Sequence, residues 1–239
     1  MKLLIVRHGE PDYSIDSLTE KGWREAHLLA DRLCKLDIAA MYVSPLGRAQ
    51  DTAKPTLERL NRTAETCEFL REFPAYMTDA NGNHRIPWDM MPAYWTSFPE
   101  LFDADKWMHS AAFRENNVAE RNAFVCDGLD AVLARHGYER DGKFYRAARP
   151  NHDTIVFFCH FGLESVLLGR LLNISPAQLW HGSVALPSSV TELITEEREE
   201  GIAYFRMTKF GDTSHLYAGD EPESFSARFC ECFTDDTRH

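Results

Sequence analysis

Two histidines and two arginines stand where apolar runs of the chain give way to turns, and that placement suits the handling of an anion. Arg7-His8-Gly9-Glu10 follows directly on the apolar run Lys2–Val6, and the glycine permits a tight turn there. Ser44-Pro45-Leu46-Gly47-Arg48-Ala49 follows a second run, Ile38–Val43, and opens a helical pattern. Amides at a helix N-terminus favour phosphate, and a guanidinium offers a fork for its oxygens. His160-Phe161-Gly162 repeats the arrangement after a third run, Thr154–Cys159. Taken singly, each has an ordinary reading: a strand-to-loop turn, a solvated helix arginine, a boundary histidine. In open α/β sheets, however, ligands bind beyond the carboxyl ends of the strands, so a parallel sheet brings all three to one edge. Two guanidiniums gathered there make a local phosphate trap in an otherwise acidic chain. Moving a phosphoryl group also needs an acid at the leaving oxygen, because an alkoxide departs poorly unless protonated. Glu72, after a candidate strand at Thr66–Leu70, is the natural choice; its blander reading is a surface carboxylate.

The elements that position these groups are legible as patterns. Ser17 or Thr19 opens a helix, with Glu20 three residues after Ser17 as in a capping box. Trp23, Ala26, Leu29, Ala30, Leu33 and Leu36 follow at three- and four-residue steps and make one apolar face. Ser44-Pro45 suits an N-cap followed by a first-turn proline, and Pro55 is expected to kink the helix that follows. Asn117 and Glu120 open a helix running to about His136, Gly162–Leu172 forms another, and Val190–Thr195 with Ile202–Thr208 forms a hairpin. Strands alternating with helices predict an α/β fold, a mostly parallel central sheet with helices on both faces. Residues 73–116 break the pattern: they carry Pro74, Pro87, Pro92 and Pro99 among Trp88, Tyr94, Trp95, Phe98, Phe102 and Trp107. Aromatic density argues against disorder, so this stretch reads as an ordered excursion over the sheet edge. A single domain over 1–239 is expected, with 73–150 as a cap or insertion.

Composition excludes several classes. With 239 residues, 44% of them hydrophobic, the chain is ample for one sizeable core. Its apolar runs, Ile155 to Cys159 among them, are far too short to cross a bilayer, and the start of the chain has no signal-peptide pattern. A net charge of −11 argues against nucleic acid and anionic membrane as partners. The six cysteines are scattered without a CxxC pair, which predicts free thiols and a reducing, cytoplasmic location. Cys230-x-Cys232 lacks further ligands nearby. No metal and no cofactor are indicated. None of Cys34, Cys67, Cys126 and Cys159 heads a C-x5-R motif; Asp103-x-Asp105 runs into Lys106-Trp107; H-E-x-x-H, G-x-S-x-G and a Walker loop are all missing.

In their order and combination these segments resemble the histidine phosphatase superfamily, the phosphoglycerate-mutase-like proteins. The matching stretches are LLIVRHGE (3–10), LTEKGWREAHLLADRL (18–33), YVSPLGRAQDTA (42–53), FLRE (69–72), VFFCHFG (156–162) and LPSSVTEL (186–193). By resemblance, His8 matches the nucleophile that becomes a phosphohistidine, and Glu72 matches the proton donor. Arg7, Arg48 and His160 match the groups that hold the phosphoryl oxygens. Ser14, where the family commonly has Asn, and the backbone amide of Phe161 are assigned to the phosphate as well. There are departures: Pro11 stands where Thr is frequent, Phe161 replaces the first Gly of H-G-G, and the F-G-x-W-E-G run after Glu72 is missing.

The implied activity is a metal-independent phosphatase acting on a small phosphorylated substrate. A phosphoglycerate mutase is the alternative enzyme, but nothing like the mutases' R-R-S-x-D-x-P-P-P segment occurs between residues 73 and 150. A catalytically silent phospho-ligand binding module is the other alternative, and it should have lost the nucleophile or the donor. Trp88, Tyr94, Trp95 and Trp107 suit either an apolar leaving-group pocket or the cap's own core. Arg135, Arg140, Arg146 and Arg149 suit either a second anionic group or a solvated surface. His8 is preferred to His160 as the phosphoryl carrier. Gly9 lets the backbone bend close and fix one ring nitrogen on a carbonyl, which leaves the other free to attack in line.

Overall fold

The computed structural model describes residues 1–79, 81–113 and 117–237; positions 80 and 114–116 of the expected cap, and 238–239 of the expected domain, lie outside them. The chain opens with β1 (Lys2–Arg7), a short ladder of β2 (Pro11–Asp12) with β3 (Ser17–Leu18), α1 (Glu20–Leu33), β4 (Ile38–Val43) and α2 (Gly47–Leu60). After β5 (Glu65–Thr66), β6 (Met77–Thr78) pairs with β7 (His84–Arg85), and α3 (Pro92–Trp95) lies among short 3-10 turns. Then come α4 (Val118–Arg135), β8 (Tyr138–Asp141), β9 (Phe144–Ala147), β10 (Thr154–Cys159), α5 (Phe161–Leu172) and α6 (Pro176–Gly182). β11 (Val190–Glu199), β12 (Ile202–Asp212) and α7 (Ser214–Ala218) follow.

One sheet runs in the order β5-β4-β10-β1-β11-β12-β9-β8. Its first four strands are mutually parallel, and two antiparallel hairpins extend it past β1, so six of the eight strands point the same way. The mostly parallel α/β architecture is the one the alternation predicts. Its central strands are buried on both faces, which is why they read as unbroken apolar runs. Leu4, Val6, Val156 and Phe158 pack with Leu29 and Leu33 of α1 and Ala49 and Ala53 of α2. Leu3, Ile5, Ile155 and Phe157 join the larger core on the other face, with α4 and α5. Each fully buried Leu, Ile or Phe contributes roughly 1.5–3 kcal/mol, so both faces hold the central strands in register. No helix among the described residues is long and apolar enough to cross a membrane.

Three local expectations are corrected. Thr19, not Ser17, caps α1: its Oγ accepts from the Gly22 amide at 3.0 Å, while Ser17 lies in β3 and donates to Asp51 at 2.5 Å. The Ser17–Glu20 capping box therefore does not form. α2 begins at Gly47 with Leu46 at the cap, because Ser44 makes a hydrogen bond to His160 instead of capping; the helix continues past Pro55 to Leu60. Thr66–Leu70 is not a strand: two residues pair with β4, and 68–70 turn as a 3-10 helix that buries Phe69 and Leu70.

The aromatic excursion packs against α4 and α6 and joins the larger core. The reason is Trp180 of α6, whose ring meets Phe73, Trp88, Trp107 and Phe113. Within the 73–150 stretch, β8 and β9 belong to the main sheet through the pairing of β9 with β12.

Candidate active site

Strand register assembles the site. β1 sets Val6 beside Phe158 and Arg7 beside Cys159, and β10 sets Phe158 beside Val43 of β4. His8, His160 and Ser44 thus leave three adjacent parallel strands at one edge. The ladders continue into the turns, with the His8 amide donating to Cys159 at 2.9 Å and the Ser44 amide to Phe158 at 2.9 Å. The two imidazoles stand 5.2 Å apart, tilted by 56°.

His8 is buried, and its Nδ1 lies 2.7 Å from the Gly9 carbonyl. A carbonyl only accepts, so Nδ1 carries the proton and the lone pair lies on Nε2. Burial first, and then the charges of Arg7 and Arg48, hold this imidazole well below its usual pKa, against the opposing pull of the Gly9 hydrogen bond. His160 is lowered likewise, by burial and then by His8, Arg48 and Arg7. Its Nε2 meets the Ser44 hydroxyl at 2.8 Å.

The arginines are fixed from outside the motifs. Arg7 is buried, donates from Nη1 to the Ala185 carbonyl at 2.6 Å and more weakly to Ser226 at 3.4 Å, and lies 5.8 Å from the Phe161 ring centroid. Arg48 donates to Asp16 at 2.6 Å, and the other carboxylate oxygen of Asp16 accepts the Gly47 amide at 2.8 Å. Gly47 is required for that approach, because a Cβ there would fall 2.1 Å from the Asp16 carbonyl. Arg7 Nε, Arg48 Nε and His160 Nδ1 are among the buried atoms without hydrogen-bond partners, a state that native interiors rarely leave unexplained.

Glu72 arrives on the turn after Leu70 and lies across the start of α5. One oxygen accepts from Phe73 at 2.8 Å and Leu163 at 2.9 Å, and the other accepts from Gly162 at 3.4 Å. Burial raises its pKa, against those amides and the charges of Arg48 and Arg7. A Cβ at Gly162 would stand 2.8 Å from the Glu72 carboxylate and 2.2 Å from the Trp88 ring. The glycine after Phe161 is therefore what lets acid, helix and insertion meet. Phe161 itself is buried at the first position of α5, where backbone amides lack partners within the helix.

Not every expected residue comes to the cluster. Ser14 is exposed and donates its hydroxyl to Asp12 at 2.6 Å, so it is held by a local turn and not by the site. From that loop Asp16, in a left-handed conformation at φ 48°, and the Tyr13 ring reach Arg48 instead. Two carboxylates of the insertion are engaged elsewhere: Asp79 is pushed down to about 2 by the Asn83 amide and by Arg85, and Asp89 faces Arg85 at 3.9 Å. The basic stretch is structural as well, with Arg135 on Glu65, Arg146 on Glu139, Arg140 on Asn173 and Arg149 on the Arg135 carbonyl.

Two buried carboxyls behind the cluster carried no signal in the sequence beyond an acidic residue on an apolar helix face. Glu25 of α1 accepts the Glu10 amide at 2.8 Å and is raised by burial from 4.5 to about 7; Glu164 of α5, beside Arg7, is raised likewise. A raised carboxyl favours the fold below its unfolded pKa, and that contribution is lost as pH rises through about 7. Glu25→Gln should therefore stabilise the protein more at alkaline pH. Its advantage in urea unfolding should grow by about 2 kcal/mol between roughly pH 5.5 and 8.5. An advantage independent of pH would mean that Glu25 is ionised throughout.

The comparison with known proteins agrees with the geometry. A sequence model described as the histidine phosphatase superfamily (branch 1) matches residues 3–101. Over those residues the chain is similar to the histidine phosphatase superfamily. A protein of Schizosaccharomyces pombe described as a probable phosphatase is 25% identical over 230 residues, covering 90% of this chain and 95% of that one. A 2,3-bisphosphoglycerate-dependent phosphoglycerate mutase of Thermoplasma acidophilum is 35% identical over 79 residues, but the match spans only 40% of its length. Among solved structures, a phosphoserine phosphatase of Entamoeba histolytica, crystallised as a mutant with phosphoserine, aligns at a TM-score of 0.58 and 18% identity over 90% of this chain and 98% of its own. A mycobacterial glucosyl-3-phosphoglycerate phosphatase aligns at 0.58 and 23% over 88% and 98%. Those two share the fold.

Proposed function

We propose that this protein hydrolyses a small phosphomonoester, without a metal, through a phosphohistidine on His8. The observation that supports it most directly is the Nδ1 to Gly9 carbonyl contact, which leaves a neutral Nε2 lone pair next to Arg7, Arg48 and His160. In the first displacement Nε2 attacks phosphorus in line, the P–O bond to the alcohol breaks, and Glu72 gives its proton to the departing oxygen. In the second, ionised Glu72 takes a proton from water as the water oxygen attacks phosphorus, and inorganic phosphate leaves with His8 regenerated. Splitting the hydrolysis in two in this way makes each step easier. Arg7, Arg48, His160 and the Phe161 amide hold the phosphoryl oxygens, and such preorganised donors are commonly the largest catalytic contribution. The working unit is taken as a single domain, with the aromatic stretch from Phe73 to Phe113 as its cap.

Because the arginines and histidines balance the transferred charge, turnover of phosphomonoesters should survive EDTA and be inhibited by vanadate, which mimics the five-coordinate phosphorus. A steady-state assay on purified protein decides this. Complete loss in EDTA, restored by a divalent cation, would overturn the metal-independent reading.

A further inference from the structure

The phosphoryl end of the site is cationic, but the side from which a leaving group must approach Glu72 is built differently. Trp88, from the insertion, lies on Gly162 so closely that it shares the glycine's missing Cβ space with the Glu72 carboxylate. Its ring meets Phe161 edge-on at 6.3 Å, and Phe161 in turn lies under Arg7. On the opposite arginine, Tyr13 covers Arg48 at 5.4 Å while remaining 67% exposed. Trp88 is not merely part of the insertion's own core. Trp107 and Trp180, which are, are 2% and 3% exposed, whereas Trp88 keeps a partly open face.

Charge points the same way. A substrate with a second acidic group needs a cation on the leaving-group side. The arginines nearest in the chain to Glu72 and Trp88 are paired, Arg71 with Glu68 and Arg85 with Asp79, and Arg228 of the C-terminal segment that follows Ser226 pairs with Glu231. The two cationic side chains from Phe73 to Phe113 are paired as well, Arg85 with Asp79 and Lys106 with Asp103. A carboxylate-bearing or doubly phosphorylated alcohol therefore meets cations already neutralised by a carboxylate. An apolar ring or chain loses nothing there and gains contact with aromatic surface.

We propose that Trp88 and Tyr13 form an apolar leaving-group wall that selects phosphomonoesters of uncharged aromatic or otherwise apolar alcohols. This substrate class rests on the phosphatase reading above. Trp88 also acts as a positioning residue for Glu72, because it covers the carboxyl that must stay protonated until the alcohol departs.

The test compares 2-phenylethyl phosphate with ethyl phosphate, whose alcohols are of similar acidity, and with phosphoserine and 3-phosphoglycerate. The wild-type protein should prefer the phenylethyl ester by about tenfold or more in kcat/KM, the scale on which an apolar pocket discriminates. Trp88→Ala should bring the phenylethyl to ethyl ratio close to one and move the alkaline limb of the pH profile downward, while Trp88→Phe keeps most of both. Tyr13→Ala, at an exposed position where folding is not at stake, should lower the ratio severalfold. Calorimetry should show benzylphosphonate binding more tightly than phosphonoacetate. Faster hydrolysis of phosphoserine or 3-phosphoglycerate, or an unchanged ratio in both Trp88→Ala and Tyr13→Ala, would overturn the substrate class and leave the phosphatase reading standing. Failure of the wild-type protein to hydrolyse any of the four esters would overturn both.

Discussion

Replacing His8 by alanine is expected to abolish the phosphoenzyme and to cut turnover by roughly four to six orders of magnitude, the scale seen when a covalent nucleophile is removed. The expectation follows from the ring's fixed tautomer. With Nδ1 donating to Gly9, the attacking nitrogen is Nε2, and burial beside two guanidiniums keeps the ring neutral at pH values below its usual pKa. Rapid quench with labelled substrate should trap an acid-labile, base-stable adduct on the peptide containing residue 8. His160→Ala should still label weakly, since His160 touches Ser44 through Nε2 and its other nitrogen serves as a donor to phosphoryl oxygen. Label on residue 160, or full activity in His8→Ala, would reverse the roles of the two histidines.

Glu72→Gln is expected to lower turnover of alkyl phosphates by about two to four orders of magnitude, the usual size of a general-acid contribution. p-Nitrophenyl phosphate should suffer much less, because its leaving group needs little protonation. Since burial raises the Glu72 pKa, the acid form persists above the usual carboxyl range, and the variant should also lose the alkaline limb that this ionisation imposes on kcat/KM. Gln keeps an oxygen to accept the Phe73 and Leu163 amides, so the start of α5 should stay intact. Equal losses on both esters would make Glu72 a helix-capping residue only. The insertion offers no ready substitute in Asp79, which its partners hold ionised down to about 2.

Much of this molecule was legible before any coordinates. The runs Lys2–Val6, Ile38–Val43 and Thr154–Cys159 carry no polar alternation, and they are the strands whose two faces are buried. α4 and α5 fall within a residue of the spans expected for them, whereas α1 stops at Leu33, short of the apolar face expected to reach Leu36. Capping was less legible. Ser17, Thr19 and Ser44 are all competent caps by residue type, and which one serves depends on partners far away, Asp51 for Ser17 and His160 for Ser44. Ser14 was misplaced for the same reason: its hydroxyl satisfies Asp12, and the loop turns Asp16 toward Arg48 instead.

Residue order alone puts His8, Arg48 and His160 where strands finish, and hence implies that a parallel sheet gathers cationic and imidazole groups at one edge. Periodicity sufficed because strand ends and helix starts are written in consecutive residues. What surrounds that cluster is set by contacts between distant parts of the chain. Trp88, Glu72 and Gly162 meet across about ninety residues of chain, on a contact that exists because glycine leaves room for a ring and a carboxylate together. Trp180 draws the proline-rich insertion onto α6 by ring contacts that no repeat or spacing announces. Long-range packing of this kind depends on shape and residual volume after the sheet has formed, and neither is encoded in the order of polar and apolar residues along the chain.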